Sequence, residues 1–217
     1  VQTLHDYQLV FPNYKMFTGG KICERCKQRK IYNTILHKCV DNSLLKSTLS
    51  AMDLSAQRLF RLYEEKIDAF IAPSLFLKNK MQEWGIKKPI YHVPYSVNLE
   101  KYVPNSEPGD YLLYVGRLSE EKGLFALLKA MRELPDVALK IAGNGPLRAH
   151  LSNYVMKKNI KNVEFLGSRH GSALDDIVRY ARFIVVPSEW YENYPMAILE
   201  AMASGKPVLG ARIGGIP

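Results

Sequence analysis

Residues 189–205 decide the fold of this sequence, and they read Glu189-Trp-Tyr-Glu-Asn-Tyr-Pro-Met-Ala-Ile-Leu-Glu-Ala-Met-Ala-Ser-Gly205. The apolar run just before them predicts a buried strand. Pro195 suits the first turn of a helix, because its fixed φ angle and missing N–H cost nothing there. Gly205 suits the position just past the end of that helix. The pattern predicts strand, loop and helix, with Glu192 in the loop and Glu200 about two turns into the helix.

The two carboxylates lie near a predicted helix start, where free N–H groups and the helix dipole favour an anionic group such as phosphate. Glu192 and Glu200 would repel phosphate, so we expect them to face sugar hydroxyls instead. As isolated glutamates, both would more often be solvated acids of a loop and a helix. The neighbouring segments decide between these two interpretations.

The second half of the sequence alternates short apolar runs with amphipathic segments. Strands are predicted near residues 112–115, 137–142, 163–166, 183–186 and 207–210, with helices between them. This alternation is typical of an α/β fold, a Rossmann-like doubly wound parallel sheet covered by helices on both faces. Ligands of such sheets bind outside the carboxyl ends of the strands, so we expect the functional site there.

The first half carries a shorter version of the same pattern. Residues 1–5 are predicted to be the end of a strand, and a long connection follows over residues 6–42. The next segment has a helical apolar stripe through about residue 65 (Leu45, Leu49, Met52, Leu59, Phe60, Tyr63). Residues 98–110 contain Pro104 and Pro108-Gly109 and are interpreted as a linker. We therefore predict one domain over residues 1–97 and a second over residues 111–217. Because a domain should not begin inside a strand, we expect the chain to be a fragment.

The charge and the cysteine content restrict the function classes. The chain has 217 residues and a net charge of +9, spread evenly, which suits phosphate-bearing ligands or an anionic membrane surface. Charge alone leaves nucleic acid open. No apolar run approaches the roughly 18 residues of a membrane span. Three cysteines are an odd number, which argues against a disulfide scaffold and predicts a cytoplasmic protein.

Three loops at predicted strand ends carry candidate binding residues. Arg117 and Lys122 place two cations between a strand and a helix, where they could clamp a diphosphate. Residues 143–145 read Gly-Asn-Gly, and Leu166 precedes another glycine. Each loop alone could be a solvated turn. A dinucleotide fingerprint is not present, because its third glycine is missing.

His5 and the cysteines are the remaining candidates. A lone histidine is more often structural, but the imidazole of His5 can donate to a phosphate or to a sugar hydroxyl. Cys23, Cys26 and Cys39 have a spacing that could bind zinc, although a structural zinc site usually has four ligands. Free thiols that pack a long loop are the alternative. We expect the three cysteines to lie close together.

The Glu-x7-Glu pattern at residues 192–200, with the Ala-Met-Ala-Ser-Gly-Lys-Pro-Val run that begins at Ala201, resembles the signature of retaining nucleotide-sugar glycosyltransferases of classification family 4. Gly116-Arg-Leu and Glu121-Lys-Gly resemble a second segment of that family. The resemblance implies the GT-B architecture of two facing Rossmann-like domains, with residues 1–97 on the acceptor side and residues 111–217 as the nucleotide-sugar-binding domain. It also implies that this fragment does not transfer by itself. For the whole protein it implies transfer from a UDP- or GDP-sugar to a glycan or lipid-linked acceptor, with retention and without a required cofactor, as in cell-surface polysaccharide or lipopolysaccharide biosynthesis. Contact with an anionic membrane would suit such an acceptor.

The resemblance also assigns roles to residues. It implies that Arg117 and Lys122 hold the donor diphosphate, that Glu192 touches the donor sugar, and that Glu200 binds the ribose. His5 would face the donor from the first domain, and the remaining donor-binding positions would be Gly143, Asn144, Gly145, Leu166, Asn193 and Tyr194. Two other classes stay open at this stage, namely another GT-B sugar-nucleotide enzyme such as an epimerase, and a nucleic-acid-binding module without nucleotide-sugar chemistry.

Overall fold

The computed structural model describes residues 1–107 and 109–217, so Pro108 of the predicted linker lies outside the described residues. Contacts divide the chain into two compact units. The first unit comprises Val1–Tyr95, Trp190–Tyr194 and Ile213–Pro217, and the second comprises Ser96–Glu189 and Pro195–Arg212. The domain boundaries at residues 97 and 111 remain a prediction.

The first unit contains a three-stranded parallel sheet and four helices. The strands are β1 (Gln2–Thr3), β2 (Phe70–Ala72) and β3 (Ile90–His92), in the spatial order β1-β2-β3. The helices are α1 (Asn33–Leu36), α2 (Leu44–Leu59), α3 (Leu62–Lys66) and α4 (Leu75–Glu83). Ser74 caps α4, because its hydroxyl accepts a hydrogen bond from the backbone N–H of Leu77 at 3.1 Å.

The long connection between β1 and α2 forms much of the core of the first unit. Tyr7, Phe11 and Met16 are fully buried, and Cys23 and Cys26 pack in the same cluster as the strand residues. The connection is held internally by the buried amide of Asn13, which donates to the carbonyl oxygens of Phe17 and Cys39, both at 2.8 Å. A 3-10 turn at Lys27–Arg29 and α1 are its helical parts. It is therefore a packed substructure.

Helix α2 turns a different face to the core than its apolar stripe indicates. Its buried residues are Ser47, Ala51 and Leu54. The stripe faces outward within this chain, with Leu45 at 70% and Leu49 at 58% of full exposure, together with Met52, Leu59 and Phe60. The stripe does not continue in one helix either, because Arg61 adopts a left-handed conformation (φ +50°) and separates α2 from α3. The stripe predicted as one helical segment is therefore divided between two helices.

The second unit is a five-stranded parallel sheet. Its strands are β4 (Tyr111–Val115), β5 (Ala138–Ala142), β6 (Val163–Gly167), β7 (Phe183–Val186) and β8 (Val208–Gly210). They lie in the order β6-β5-β4-β7-β8, and every pair is parallel. The order reverses beside β4, the first strand of this unit, which is the doubly wound topology that the sequence predicts. The predicted strand positions are confirmed to within a residue.

Four helices connect these strands, namely α5 (Leu124–Arg132), α6 (Arg148–Lys157), α7 (Ser172–Arg179) and α8 (Met196–Ala203). The core between α5, α6 and the sheet is apolar, with Leu128, Leu139, Ile141 and Leu151 fully buried. Each fully buried aliphatic side chain contributes about 1.5–3 kcal/mol relative to an exposed one. Helix α8 begins after Pro195 and is followed by Gly205, as predicted.

The segment interpreted as a linker packs on the second unit. Asn105 donates its backbone N–H to the carbonyl oxygen of Ser204 at 3.1 Å and its side-chain amide to that of Arg179 at 3.2 Å. Lys206, which is buried, donates to the carbonyl oxygen of Glu107 at 2.8 Å. Among the described residues, no helix combines the length and apolar character needed to cross a bilayer.

Candidate functional site

The carboxyl ends of four neighbouring strands in the second unit are joined by backbone hydrogen bonds. The N–H of Gly116 after β4 donates to Ala142 at the end of β5, and the N–H of Gly143 donates to Gly167 at the end of β6. On the other side, Glu189 after β7 donates to Glu121 at 2.9 Å. The loops that carry most of the predicted donor-binding residues therefore form one continuous edge.

Glycines allow two of these loops to pack backbone against backbone. A Cβ atom on Gly143 would lie 1.9 Å from the carbonyl oxygen of Gly116, and one on Gly145 would lie 2.5–2.8 Å from the backbone of Leu118. Both distances are shorter than any real carbon contact. The glycines at these two predicted positions are thus required by the fold of the edge. Asn144 also links these two loops, because its backbone carbonyl oxygen accepts a hydrogen bond from the N–H of Leu118 at 2.9 Å.

Two cations lie on the loop after β4. Arg117 is exposed, and its carbonyl oxygen accepts a hydrogen bond from the Tyr114 hydroxyl at 2.9 Å. Lys122 ends a 3-10 turn, Glu120–Lys122, which is followed by Gly123 in a left-handed conformation (φ +68°). Charged groups at the carboxyl edge of a doubly wound sheet are placed where anionic ligands of this fold bind.

Helix α8 carries Glu200 among half-buried residues. Burial raises the pKa of the Glu200 carboxyl, and the negative charge of Asp175 on α7 raises it further. Tyr102, from the segment before β4, has a raised pKa through burial and through the charge of Glu200. Leu166, the predicted nucleobase neighbour, is half-buried near the end of β6.

The segment Trp190–Tyr194 packs within the first unit and carries Glu192, which is buried. The carbonyl oxygen of Glu192 accepts from the N–H of Gly215 at 2.7 Å. A Cβ atom on Gly214 would lie 2.5 Å from the carbonyl oxygen of Glu192, and one on Gly215 would lie 2.0 Å from that of Asn193. Glycine is therefore required at both positions for this close backbone packing.

Asn193 uses its side chain to join three elements of the first unit. Its amide nitrogen donates to the carbonyl oxygen of His5 at 3.0 Å, and its amide oxygen accepts from the Ser74 hydroxyl at 3.1 Å. The residue is 8% exposed. These contacts give Asn193 a structural function that its predicted role in donor binding does not include.

His5 lies at the end of β1 and is exposed. Its Nδ1 atom is 2.5 Å from the hydroxyl of Tyr95, and the two rings are stacked. The Tyr95 ring also contacts the ring of Tyr194 edge-on, at 5.5 Å between centroids. His5, Tyr194 and the Glu192 segment are thus brought together in the first unit.

A buried hydroxyl lies near the Glu192 carboxylate. Tyr7 is fully buried, and its hydroxyl has no hydrogen-bond partner among the described residues. Burial raises the pKa of Tyr7 far above its usual range, and the negative charge of Glu192 raises it further. The Tyr7 hydroxyl therefore stays protonated beside the carboxylate.

The three cysteines are buried, and none of them forms a disulfide. Burial raises the pKa of the thiols of Cys26 and Cys39. Zinc binding by these residues stays a prediction. The Sγ atom of Cys26 lies 3.3 Å from the Thr34 hydroxyl, and that of Cys39 donates to the carbonyl oxygen of Asn33. Within residues 1–107 and 109–217, no three His, Cys, Asp or Glu side chains are grouped so that they could hold a metal ion.

Tyr95, Gly214 and Gly215 contact predicted site residues, and the sequence interpretation did not include them. Tyr95 follows β3, so the rule that sites lie at carboxyl ends of parallel strands could have identified it. Gly214-Gly215 could have been noticed as a glycine pair, but the backbone it supports lies more than 20 residues earlier in the sequence.

Comparison with known proteins gives one family. The model of the family described as glycosyl transferases group 1 matches residues 98–217. An uncharacterized glycosyltransferase of Methanocaldococcus jannaschii, MJ1178, is 29% identical over 163 residues, which are 75% of this chain and 45% of that protein. The lipopolysaccharide 1,2-N-acetylglucosaminetransferase of Salmonella typhimurium is 29% identical over 169 residues, covering 67% of this chain and 44% of that enzyme.

Among solved structures, the sucrose-phosphate synthase of Thermosynechococcus elongatus superposes with a TM-score of 0.61 at 28% identity. The match covers 69% of this chain and 42% of that one. The chain thus spans less than half the length of each of these three proteins.

Proposed function

The chain belongs to the glycosyl transferases group 1 family, and from that premise we propose that the protein moves a sugar from a nucleotide sugar to a glycan or lipid-linked acceptor with retention of configuration. Its parallel sheets and its structural neighbours confirm the α/β fold of the GT-B type. Family membership favours a transferase over a nucleic-acid-binding module. It also favours transfer over epimerisation of the donor.

One observation carries the proposal, namely the hydrogen-bonded edge of the second unit with Arg117 and Lys122 on its first loop. Sugar transfer breaks the bond between the anomeric carbon and a phosphate oxygen, so negative charge develops on a diphosphate. Cations and backbone N–H groups held in place before the reaction stabilise such charge most effectively. The glycine contacts between the loops provide that rigidity.

The other site residues receive separate roles. Glu200 accepts hydrogen bonds from the ribose hydroxyls, and Glu192 accepts from hydroxyls of the donor sugar. His5 donates to the donor, with its ring oriented by Tyr95. Leu166 and residues 143–145 line the nucleotide, and the backbone amides near Tyr194 stabilise the charge on the leaving diphosphate.

Retention needs no protein nucleophile in this account. The acceptor hydroxyl oxygen bonds to the anomeric carbon on the face from which the diphosphate leaves. The acceptor proton passes to the departing phosphate oxygen. Bonds and protons balance without a metal ion, so the residues of the chain only bind, orient and stabilise charge.

The pathway we propose is the assembly of a cell-surface polysaccharide or lipopolysaccharide in the cytoplasm, with contact to an anionic membrane where the acceptor is lipid-linked. The similarity to an enzyme that acts on lipopolysaccharide supports this pathway. The net charge of +9 suits both a phosphate-bearing donor and an anionic surface.

A panel of UDP- and GDP-sugars tests the donor proposal in a thermal-shift experiment on the full-length protein. We expect one nucleotide sugar to raise Tm, because a ligand that binds only the folded state stabilises it. The shift should be lost in Arg117→Ala and kept in Lys129→Ala, which removes an exposed cation from α5. A shift of equal size in both variants would contradict the proposed diphosphate clamp.

A further inference from the structure

Tyr191, the residue before Glu192, is held from several sides within the first unit. Its hydroxyl donates to Oε1 of Glu24 at 2.9 Å. Its ring packs against Phe76 at 4.9 Å between centroids, and the ammonium group of Lys80 lies 5.1 Å from its ring centroid. A cation over an aromatic face adds about 0.5–2 kcal/mol, depending on how far it is desolvated.

Glu24 and Lys80 also hold each other. Nζ of Lys80 donates to the same Oε1 atom of Glu24 at 2.9 Å and to Oε2 of Glu83 at 2.9 Å, and its side chain is only 11% exposed. Burial lowers the pKa of Lys80, but the hydrogen bonds to both carboxylates outweigh it and raise the pKa overall. Burial and the bond to Glu24 raise the pKa of Tyr191, so its hydroxyl remains a donor.

The backbone that carries Glu24 is packed in the first unit. It lies between Cys23 and Cys26, both buried in the core of the first unit. The N–H of Cys23 donates to the carbonyl oxygen of Met16 at 2.8 Å, and the thiol of Cys26 contacts the Thr34 hydroxyl. The Glu24 carboxylate is therefore presented by fixed backbone on both sides.

We propose that Glu24 is a positioning residue for Glu192, and that the loop over residues 23–39, here called the cysteine loop, serves to hold the segment Trp190–Tyr194 through the Glu24–Tyr191 hydrogen bond. Tyr191 is covalently adjacent to Glu192, so a shift of its ring displaces the Glu192 carboxylate. This assigns the cysteine loop a mechanical role. The inference rests on the proposed function only for the role of Glu192 in transfer.

Two substitutions break the contact from opposite sides. Tyr191→Phe removes one oxygen and leaves the ring packing intact, and Glu24→Ala removes the acceptor. We expect each to lower kcat about tenfold to a hundredfold, because a misplacement of about 1 Å has effects of that size, while the donor KM stays near its original value. The double variant should be no slower than the slower single variant, since both changes break the same Glu24–Tyr191 hydrogen bond. Only Glu24→Ala also removes a partner of Lys80.

Lys27→Met is the matched control. It removes a cation that pairs with Glu83 on the exposed side of the same network. It leaves the side-chain contact between Glu24 and Tyr191 and the backbone hydrogen bond from Lys27 to the Glu24 carbonyl oxygen in place. Its kcat should equal that of the unsubstituted protein. Additive effects of Glu24→Ala and Tyr191→Phe, or an equal loss in the Lys27→Met control, would overturn the proposal.

Fluorescence separates this inference from the proposed function. The chain has two tryptophans, Trp84 and Trp190, so a Trp84→Phe background leaves Trp190 to report on its own segment. We expect Glu24→Ala and Tyr191→Phe to shift its emission and increase its quenching by acrylamide, and Lys27→Met to change neither. Unchanged Trp190 emission in both test variants overturns the proposal even where transfer is slowed. If no sugar transfer is detectable in the unsubstituted protein, the proposed function fails while the emission still decides whether Glu24 holds the segment.

Discussion

Gly143 and Gly167 both have positive φ angles at the edge of the second unit, but a side chain would meet different surroundings at the two positions. A methyl group on Gly143 would collide with the carbonyl oxygen of Gly116, whereas nothing lies within 4 Å of a Cβ atom on Gly167. Both substitutions to Ala carry backbone strain of about 1–2 kcal/mol. Gly143→Ala should cost a further 1–3 kcal/mol or so through overpacking.

Urea denaturation of the two glycine variants measures this difference in the free energy of unfolding. Gly167→Ala serves as the control for backbone strain. Equal midpoints at equal m-values would show that the two loops do not pack backbone against backbone.

Arg117 and Lys122 test the diphosphate clamp at the level of side-chain charge. A hydrogen bond to a charged group contributes about 1.5–3 kcal/mol. Because charge on the leaving diphosphate grows in the transition state, Arg117→Ala and Lys122→Ala should each lower kcat and kcat/KM by about tenfold to a hundredfold. Steady-state kinetics with the donor varied at saturating acceptor provides both constants, and Lys129→Ala is the charge control. Unchanged constants in both test variants would remove these residues from the site.

The structural contacts of Asn193 could not be predicted from the sequence. A polar residue beside Glu192 is a reasonable ligand-binding candidate, but its amide bonds to His5 and Ser74, which lie more than 100 positions away in the sequence. Contacts across such a distance follow from the tertiary fold and have no local signal. Arg117 and Lys122 could be named as candidates from the sequence, because a strand end followed by cations is a local pattern.

Ionisation of Glu200 on α8 serves the proposed ribose contact but destabilises the folded chain. The folded pKa of Glu200 lies above its unfolded value because of burial and the charge of Asp175, so the ionised carboxylate destabilises the folded state. That cost is present when the pH is above the folded pKa and disappears as the pH falls below the unfolded value. Glu200→Gln should therefore raise Tm at pH 7, by about 2–4 °C for each kcal/mol recovered.

The same substitution should raise the donor KM, because the proposed ribose contact loses a charged acceptor. Tm is measured for Glu200→Gln and for the unsubstituted chain from pH 7 down to pH 4. The difference between the two Tm values should shrink as the pH falls. A constant difference across that range would contradict burial of the charge as the cause.

Helix α2 explains why one element could not be oriented from its sequence. Leu45, Leu49, Met52 and Leu59 recur on one face, while Ala51 and Leu54 lie on the other, so both faces are apolar. Periodicity cannot choose between two apolar faces. The strands of the second unit posed no such ambiguity, because uniformly apolar short runs between amphipathic helices are typical of a buried parallel sheet.

Two leucines on α2 provide a matched pair for this correction. Leu54→Ala should destabilise the 217-residue chain by about 2–5 kcal/mol, because Leu54 is 2% exposed and leaves a cavity. Leu49→Ala, at 58% exposure, should stay within about 0.5 kcal/mol. Thermal unfolding of both variants decides which face packs in this chain, and the reverse ranking would contradict the burial of Leu54.

At the scale of the whole molecule, the sheet topology was predictable and the assignment of segments to units was not. The parallel sheet of the second unit follows from its alternation of short apolar runs and amphipathic segments. The segment Trp190–Tyr194 continues the chain of the second unit, yet its contacts lie in the first. Its partners, including Glu24 and Gly215, carry no mark in the sequence that relates them to it.

The central claim is that the protein transfers sugar with retention, and the anomeric configuration of the product tests it most directly. The full-length protein would be incubated with the nucleotide sugar identified by thermal shift and with an acceptor, and the anomeric proton followed by NMR from the first turnover. Transfer with retention predicts that the new glycosidic bond has the configuration of the donor and that one nucleoside diphosphate is released for each bond formed. An inverted product would contradict it.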